Sequence, residues 1–283
     1  MDQNRLQEKK AQLAGILKKY ERLVIAFSGG VDSSFLLATA CNVLGDKVTA
    51  VTAESPVHPL RERKAAADLA LALRVNHVVI QSHEMELPDF LANPENRCYI
   101  CKRHVFGQIF KIAAKLNIET VAHGVNLDDL SDYRPGQQAA EELGVFAPLI
   151  EAGLTKKEIR LLSREMGLPT WDKPSMACLA SRIPYGSAVT PRKLSMVEAA
   201  EDFLLQLGVK TCRVRHHGSV ARIEVDPADF DRVLAPKHRT RILNQLKKIG
   251  FVHVALDLKG YTMGSMNKEV RSKEKGERTK EKR

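Results

Sequence analysis

Two groups of residues in this 283-residue chain have types and spacings suited to chemistry. The first is Ser28-Gly29-Gly30-Val31-Asp32-Ser33-Ser34, set between a strand-like apolar run and a helical pattern. Glycines without Cβ let the backbone approach an anion closely, and the free N–H groups of a helix start face that anion along the helix dipole. Ser28, Ser33 and Ser34 add hydroxyl donors, and Asp32 offers a carboxylate to a magnesium ion bridging phosphate oxygens. The pattern Gly-x-x-x-x-Gly-Lys-Ser/Thr is absent, which excludes a loop built for γ-phosphate cleavage. The second group is thiols. Cys98-Tyr99-Ile100-Cys101 opens a predicted helix, where the dipole favours thiolate and Lys102 and Arg103 reinforce it. A CxxC pair serves redox, zinc or iron–sulfur chemistry, and the spacing alone leaves all three open. Cys178 stands among small residues flanked by Lys173-Pro174 and by Arg182-Ile183-Pro184, a shaped and electropositive setting. Cys41, in the apolar run 35–44, and Cys212 read as inert buried thiols.

Positioning these residues takes a scaffold, and the first half of the chain alternates suitable elements. An amphipathic stretch over 6–20 precedes strands expected at 23–27, 47–52, 77–81 and 120–123, with helices at 31–44, 59–73 and 99–116 between them. Strands alternating with helices of this length predict right-handed crossovers and a parallel sheet with helices on both faces. Ligands in such sheets bind beyond the carboxyl ends of the strands. A short helix is expected near 137–143, and Thr155-Lys156-Lys157-Glu158 reads as a capping box. Residues 168–186 hold three prolines and little periodicity, as a functional loop does. From Thr190-Pro191 onward the pattern is helix, two strands, helices over 228–249 and a last strand, a smaller α+β unit. The expected domains are 1–186, carrying the phosphate loop and the thiols, and 187–266, for acceptor binding or oligomerisation. Residues 267–283 read as a disordered charged tail.

The charge balance is 44 Lys+Arg against 34 Asp+Glu, or +10. Eight basic and four acidic residues fall in 268–283, so +4 of that excess sits in the tail and only +6 in the rest. Such a distribution argues against a nucleic-acid surface. No apolar run approaches the roughly 20 residues that span a bilayer, and the first residues lack the apolar core of a secretion signal. Five cysteines, an odd number, do not suggest a disulfide framework. These features predict a cytoplasmic protein with no membrane partner.

Ser-Gly-Gly-x-Asp-Ser resembles the signature of the PP-loop ATP pyrophosphatases, which share an adenine nucleotide alpha hydrolase-like α/β fold. The resemblance implies that ATP transfers AMP to a substrate oxygen while the loop holds the pyrophosphate leaving group, and that a nucleophile then displaces AMP. It places nucleotide contacts at Ala26, Phe27, Ser28, Gly29, Gly30, Val31, Asp32, Ser33, Ser34 and Ala53. A second matching element, Gly124-Val125-Asn126-Leu127-Asp128-Asp129, adds Gly124, Asn126 and Asp128 to that pocket. Asp32 and Asp128 are the implied magnesium ligands, and Arg182 or Lys102 the groups that neutralise charge on the adenylate.

The segment Lys173-Pro174-Ser175-Met176-Ala177-Cys178-Leu179-Ala180-Ser181-Arg182-Ile183-Pro184 is more specific: it resembles the LarE family, over residues 22 to about 260. LarE proteins are PP-loop sulfur transferases of nickel-pincer nucleotide cofactor biosynthesis. The implied substrate is a small nucleotide, pyridinium-3,5-biscarboxylic acid mononucleotide, whose carboxylates become thiocarboxylates. Cys178 is the implied reactive cysteine. One branch of the family sacrifices the sulfur of that single cysteine. This chain departs from it in also carrying Cys98 and Cys101, like the branch thought to bind a [4Fe–4S] cluster on three thiolates, and cluster-based transfer is the favoured expectation. The implied partners are a sulfide source, the enzymes before and after it in cofactor assembly, and further copies in a homo-oligomer. Alternation puts Arg213 and Arg215 on one strand face, and the resemblance assigns them, with Glu201 orienting, to the substrate phosphate. Three rivals stay open: a cluster-bearing tRNA thiolase, a non-catalytic nucleotide-binding regulator, and sacrificial donation by Cys178.

Overall fold

Leu23, Val24 and Ile25 are fully buried, and their side chains enter two separate apolar clusters. A strand sends neighbouring side chains to opposite faces, so this run demands cover on both sides. The computed structural model, which describes residues 3–131, 135–175 and 177–262, shows that cover. In chain order the first elements are α1 (Gln3–Leu17), β1 (Leu23–Ala26), α2 (Val31–Leu44), β2 (Val48–Glu54), α3 (Leu60–Ala72) and β3 (Asn76–Gln81). A short α4 (Pro88–Leu91), α5 (Arg97–Lys115), β4 (Val121–His123), α6 (Pro135–Glu142), α7 (Pro148–Glu151) and α8 (Lys156–Glu165) follow. The strands form a parallel sheet in the order β3-β2-β1-β4. Leu23 and Ile25 join Leu13, Phe35, Leu69 and Leu162 from α1, α2, α3 and α8, whereas Val24 joins Phe106 and Ile109 of α5. The sheet is thus covered on both faces, as expected of the α/β class.

One expectation needs correction. The second strand, expected at 47–52, runs on through Ala53 and Glu54, because the register with β3 continues to the pair Glu54–Gln81.

The chain divides into two compact units, Met1–Leu87 with Asn96–Met176, and Pro88–Glu95 with Ala177–Arg283. The division falls earlier than the expected boundary at 186, and the reason lies in Asn93. This fully buried residue adopts φ 58°, and its Nδ2 donates to the carbonyls of Ile183, Pro184 and Ser187 at 3.2, 2.8 and 2.9 Å. The turn after Cys178 is therefore tied to the 88–95 insert. The second unit continues with α9 (Pro191–Gln206), β5 (Cys212–His217), β6 (Val220–Val225), α10 (Phe230–Leu234), α11 (Pro236–Ile249) and β7 (His253–Leu256). Strand β6 pairs antiparallel with β5 and parallel with β7, and Ala200, Leu204, Ile242 and Leu246 pack on Val214, Ile223 and Val225. Pro236, which has no N–H to give, starts α11 and separates it from α10, the two helices falling within the expected 228–249. The expected tail, 267–283, lies outside the described residues. Among the described residues no helix is long and apolar enough to cross a membrane.

Helix α8 begins with the expected capping box: Thr155 Oγ1 accepts from the Glu158 N–H, and Glu158 accepts from the Thr155 N–H at 2.8 Å. Glu158 also takes Lys9 of α1 at 2.7 Å, while that ammonium donates to the Gly153 carbonyl at 2.6 Å. Thr155→Ala removes half of this cap and should lower stability by about 1 kcal/mol, read as a reduced urea midpoint with unchanged slope.

Candidate active site

The phosphate loop owes its shape to Gly29 and Ser33. Gly29 has φ +70°, and a Cβ there would lie 2.8 Å from that of Ala66 on α3, so a side chain is excluded twice over. Ser33 Oγ lies 3.1 Å from Ser28 Oγ and donates to the Gly30 carbonyl at 3.1 Å, drawing the loop across the start of α2. Ser28 is exposed, whereas Ser33 and Ser34 are buried, so only the first of the three expected hydroxyls faces solvent freely. Lys173 reaches the loop from the opposite side, donating to the Gly29 carbonyl at 2.9 Å and pairing with Glu62 of α3 at 2.7 Å.

The Gly124–Asp129 segment closes directly on this loop. A Cβ on Gly124 would stand 2.6 Å from Ser33 N and 2.8 Å from Ser33 Cα, both unyielding backbone atoms. Asn126, fully buried, donates to Asp32 at 3.3 Å and accepts from the Asp128 N–H at 3.0 Å. Lys156, the first residue of α8, joins the same two carboxylates: its ammonium pairs with Asp32, and its N–H donates to Asp128 at 2.9 Å. The two expected magnesium ligands are thus linked through both Asn126 and Lys156. Burial raises the Asp32 pKa above its ordinary 3.8, and the attraction of Lys156 only partly offsets this.

Near the end of β2, Thr52 donates to the Phe27 carbonyl at 2.8 Å and meets His77 Nε2 at 2.8 Å. Ser55 and Ser82 both donate to the fully buried Glu84, joining the carboxyl ends of β2 and β3. Lys102 lies over the Phe106 ring at 5.3 Å, and His123 meets that ring edge-on at 5.6 Å. Burial, and then the Lys102 charge, push His123 down to about 3. Burial lowers His58 too, with Lys102 and Arg63 adding to the effect against Glu84. His58 follows β2 and His123 ends β4, so the Lys102 charge is felt at the carboxyl edge of the sheet, the edge that carries the phosphate loop.

Cys98 is exposed and Cys101 half-buried, one turn apart on the first turns of α5. Cys178 belongs to the second unit, where it caps a short 3-10 turn over Leu179–Arg182. Among the described residues no three His, Cys, Asp or Glu side chains are gathered to hold a metal ion. Cys41 is half-buried rather than fully buried, and burial raises its thiol to about 11, whereas Cys212 lies buried in the apolar core as expected.

Arg182 holds the Cys178 turn from within. It is fully buried; Nε and one terminal nitrogen grip Glu201 at 2.8 and 3.0 Å. The other terminal nitrogen donates to the carbonyls of Ala177 and Cys178 at 2.6 and 3.1 Å and to Ser181 Oγ at 2.9 Å. Burial opposes ionisation of Glu201, but Arg182, Arg213 and the Val214 N–H bring its pKa below the usual range. Arg213 is 4% exposed, lies 4.9 Å over the Tyr261 ring and donates to the Cys212 carbonyl at 2.7 Å. Arg215, 6% exposed, grips Glu224 at 2.9 and 2.8 Å and donates to the Ser181 carbonyl at 2.9 Å.

The asparagine synthase family matches residues 15–101, the span from α1 through the phosphate loop to Cys101. An uncharacterized protein of Synechocystis sp. is 40% identical over 93% of this chain and 98% of its own length. The pyridinium-3,5-bisthiocarboxylic acid mononucleotide synthase of Lactiplantibacillus plantarum is 37% identical over 93% of this chain and 95% of its own. The chain belongs to the LarE family. It is accordingly an ATP-dependent sulfurtransferase of the PP-loop type. A glutamine-hydrolyzing GMP synthase of Shewanella piezotolerans, 28% identical, matches only 53% of this LarE-family chain and 32% of its own length.

Sequence reasoning missed Lys156, Asn93 and Glu84, and did not give Lys173 its place on Gly29. Lys156 was legible only as a capping-box neighbour; nothing in its spacing pointed 124 residues back to Asp32. Two outcomes test the site. Gly124→Ala forces a Cβ onto the Ser33 backbone and should cost about 1–3 kcal/mol in urea unfolding, with weaker ATP binding by calorimetry. Asp32 has a folded pKa above its unfolded value, so its protonated form contributes stability below pH 3.8 that is lost as pH rises through the folded pKa. Asp32→Asn should therefore raise the urea midpoint at pH 7, with the difference vanishing below pH 3.8, while ATP turnover is lost.

Proposed function

We propose that this enzyme adenylates the two carboxylates of pyridinium-3,5-biscarboxylic acid mononucleotide and converts each to a thiocarboxylate, serving nickel-pincer nucleotide assembly. The observation that carries this reading is that one chain holds both an intact phosphate loop, sealed by Gly124, and a thiol, Cys178, whose turn is held by the buried Arg182. A carboxylate oxygen attacks the α-phosphorus of ATP and pyrophosphate leaves along the Ser28–Ser34 loop. A sulfur nucleophile then attacks the acyl carbon, and AMP departs with the former carboxylate oxygen.

Asp32 and Asp128, tied together by Asn126, fit magnesium: hard oxygen donors stand beside the loop, and Asp32 is buried enough to gain from a second cation. Lys156 neutralises Asp32 until then. Lys102, at the carboxyl edge of the sheet, is the cation proposed for the adenylate. Arg182, with its donors engaged, is assigned to positioning Cys178 instead.

Arg213 and Arg215 are proposed to receive the substrate phosphate. Both guanidiniums are buried in the second unit, on strand β5, and a planar guanidinium matches phosphate oxygens by bidentate bonds.

Cys98, Cys101 and Cys178 are the proposed donors of a [4Fe–4S] cluster. Two thiols one helical turn apart, with the first exposed, suit cluster ligation. When bound, the cluster supplies the sulfur that enters the product.

The test is turnover by anaerobically purified enzyme with ATP, magnesium, sulfide and the dicarboxylate nucleotide, followed by AMP and product mass. Cys178→Ala should still release pyrophosphate but form no thiocarboxylate. Cys98→Ala should lose iron and fall below one sulfur per enzyme. Iron-free wild type whose Cys178 loses the mass of hydrogen sulfide on turnover overturns the cluster in favour of sacrifice.

A further inference from the structure

Arg222 has no task in the chemistry above, yet it stands beside two arginines that do. Strand β6 sets Arg222 directly opposite Arg215 and Glu224 directly opposite Arg213. These four residues share one face of the sheet, while Val214 and Ile223 turn to the other face and its apolar core. Two like charges directly opposite each other on a sheet cost stability. Glu224 offsets part of that cost, because its Oε1 accepts from Arg215 Nε at 2.9 Å and from Arg222 at 3.0 Å. The two guanidiniums differ in what they have left. Arg215 also donates to the second Glu224 oxygen and to the Ser181 carbonyl, so a phosphate beside it needs donors from a neighbour as well. The Arg222 side chain is 39% exposed, and among the described residues its second terminal nitrogen has no partner. Its buried Nε has none within hydrogen-bond reach, the Asp257 carboxylate standing 3.7 Å away. Arg222 is thus a cation with open donors on the face that holds Arg213 and Arg215.

We infer that Arg222 is a third arginine of the substrate-phosphate site, and the one that selects a nucleotide over its nucleoside. A phosphate settling beside Arg215 and Arg222 relieves the repulsion between them and takes a charge-assisted bond from the open Arg222 donors. A substrate without its phosphate does neither. Asp257 works against this, because its negative charge draws on the same guanidinium from the end of β7. This inference rests on the reading that places the substrate phosphate at Arg213 and Arg215, and adds a residue and a selectivity to it.

The test uses full-length enzyme and calorimetry with two probes, pyridinium-3,5-biscarboxylic acid mononucleotide and the nucleoside left when a phosphatase removes its phosphate. Wild type should bind the nucleotide about a hundredfold more tightly than the nucleoside, as two or more charge-assisted bonds require. Arg222→Met should weaken the nucleotide by about tenfold, the loss of one such bond, and leave nucleoside affinity unchanged. Arg222→Lys should restore the nucleotide affinity in part. Asp257→Asn keeps the oxygen that accepts from the Lys259 N–H but loses the charge. It should tighten the nucleotide severalfold and the nucleoside not at all, and that gain should vanish when combined with Arg222→Met. A purely structural Arg222 predicts no gain from Asp257→Asn, so that variant decides the matter if Arg222→Met fails to fold. Equal losses for both probes in Arg222→Met, or a nucleotide preference that survives the substitution unchanged, overturns the inference alone. Wild type that binds both probes equally overturns the phosphate reading of Arg213 and Arg215, and wild type that binds neither overturns the proposed substrate.

Discussion

The close approach of Gly124 to the backbone of Ser33 is the constraint on which the nucleotide site depends. It joins the ends of two neighbouring parallel strands, β1 and β4, at a distance only glycine permits. With no Cβ between them, the loop after β4 lies against the first turn of α2, and Asn126 falls within reach of Asp32. From there the hydrogen bonds spread to Asp128 and to the start of α8. Remove that approach and the carboxylates separate, although each strand and helix could still form.

The second unit obeys a different constraint, electrostatic rather than steric. Burying a guanidinium is tolerable only with partners, and here Glu201 and Glu224 are gripped through both oxygens. The same arginines also hold carbonyls of the turn around Cys178 and Ser181. Charge that would otherwise weaken a small α+β core is thereby used to fix a loop with little regular structure. The thiol owes its placement to buried ion pairs more than to apolar packing.

Much of this was legible in the residues, and the exceptions have physical reasons. Leu23-Val24-Ile25 announces a strand buried on both faces, and Thr155 with Glu158 announces a helix start, because both signals are local. The phosphate loop is legible because glycines and hydroxyls at one helix start have few other uses. Lys156 and Lys173 could not be assigned their partners, Asp32 and Gly29, since a lysine carries no mark of where a long flexible side chain will reach. Asn93 was illegible too: its role depends on a left-handed backbone and on three carbonyls some ninety residues away. Arg213 and Arg215 were placed correctly on one strand face, but their burial and their carboxylate partners are properties of packing, not of alternation.

The bond from Lys9 to Glu158 gives the first helix a reach that its position in the chain conceals. Glu158 holds the Thr155 N–H, Thr155 precedes Lys156, and Lys156 faces Asp32, so the N-terminal segment stands four links from a carboxylate at the centre of the nucleotide site. Changes at the amino terminus, by trimming, fusion or evolutionary drift, are thus not silent decoration. They bear on a chain of contacts that ends at Asp32.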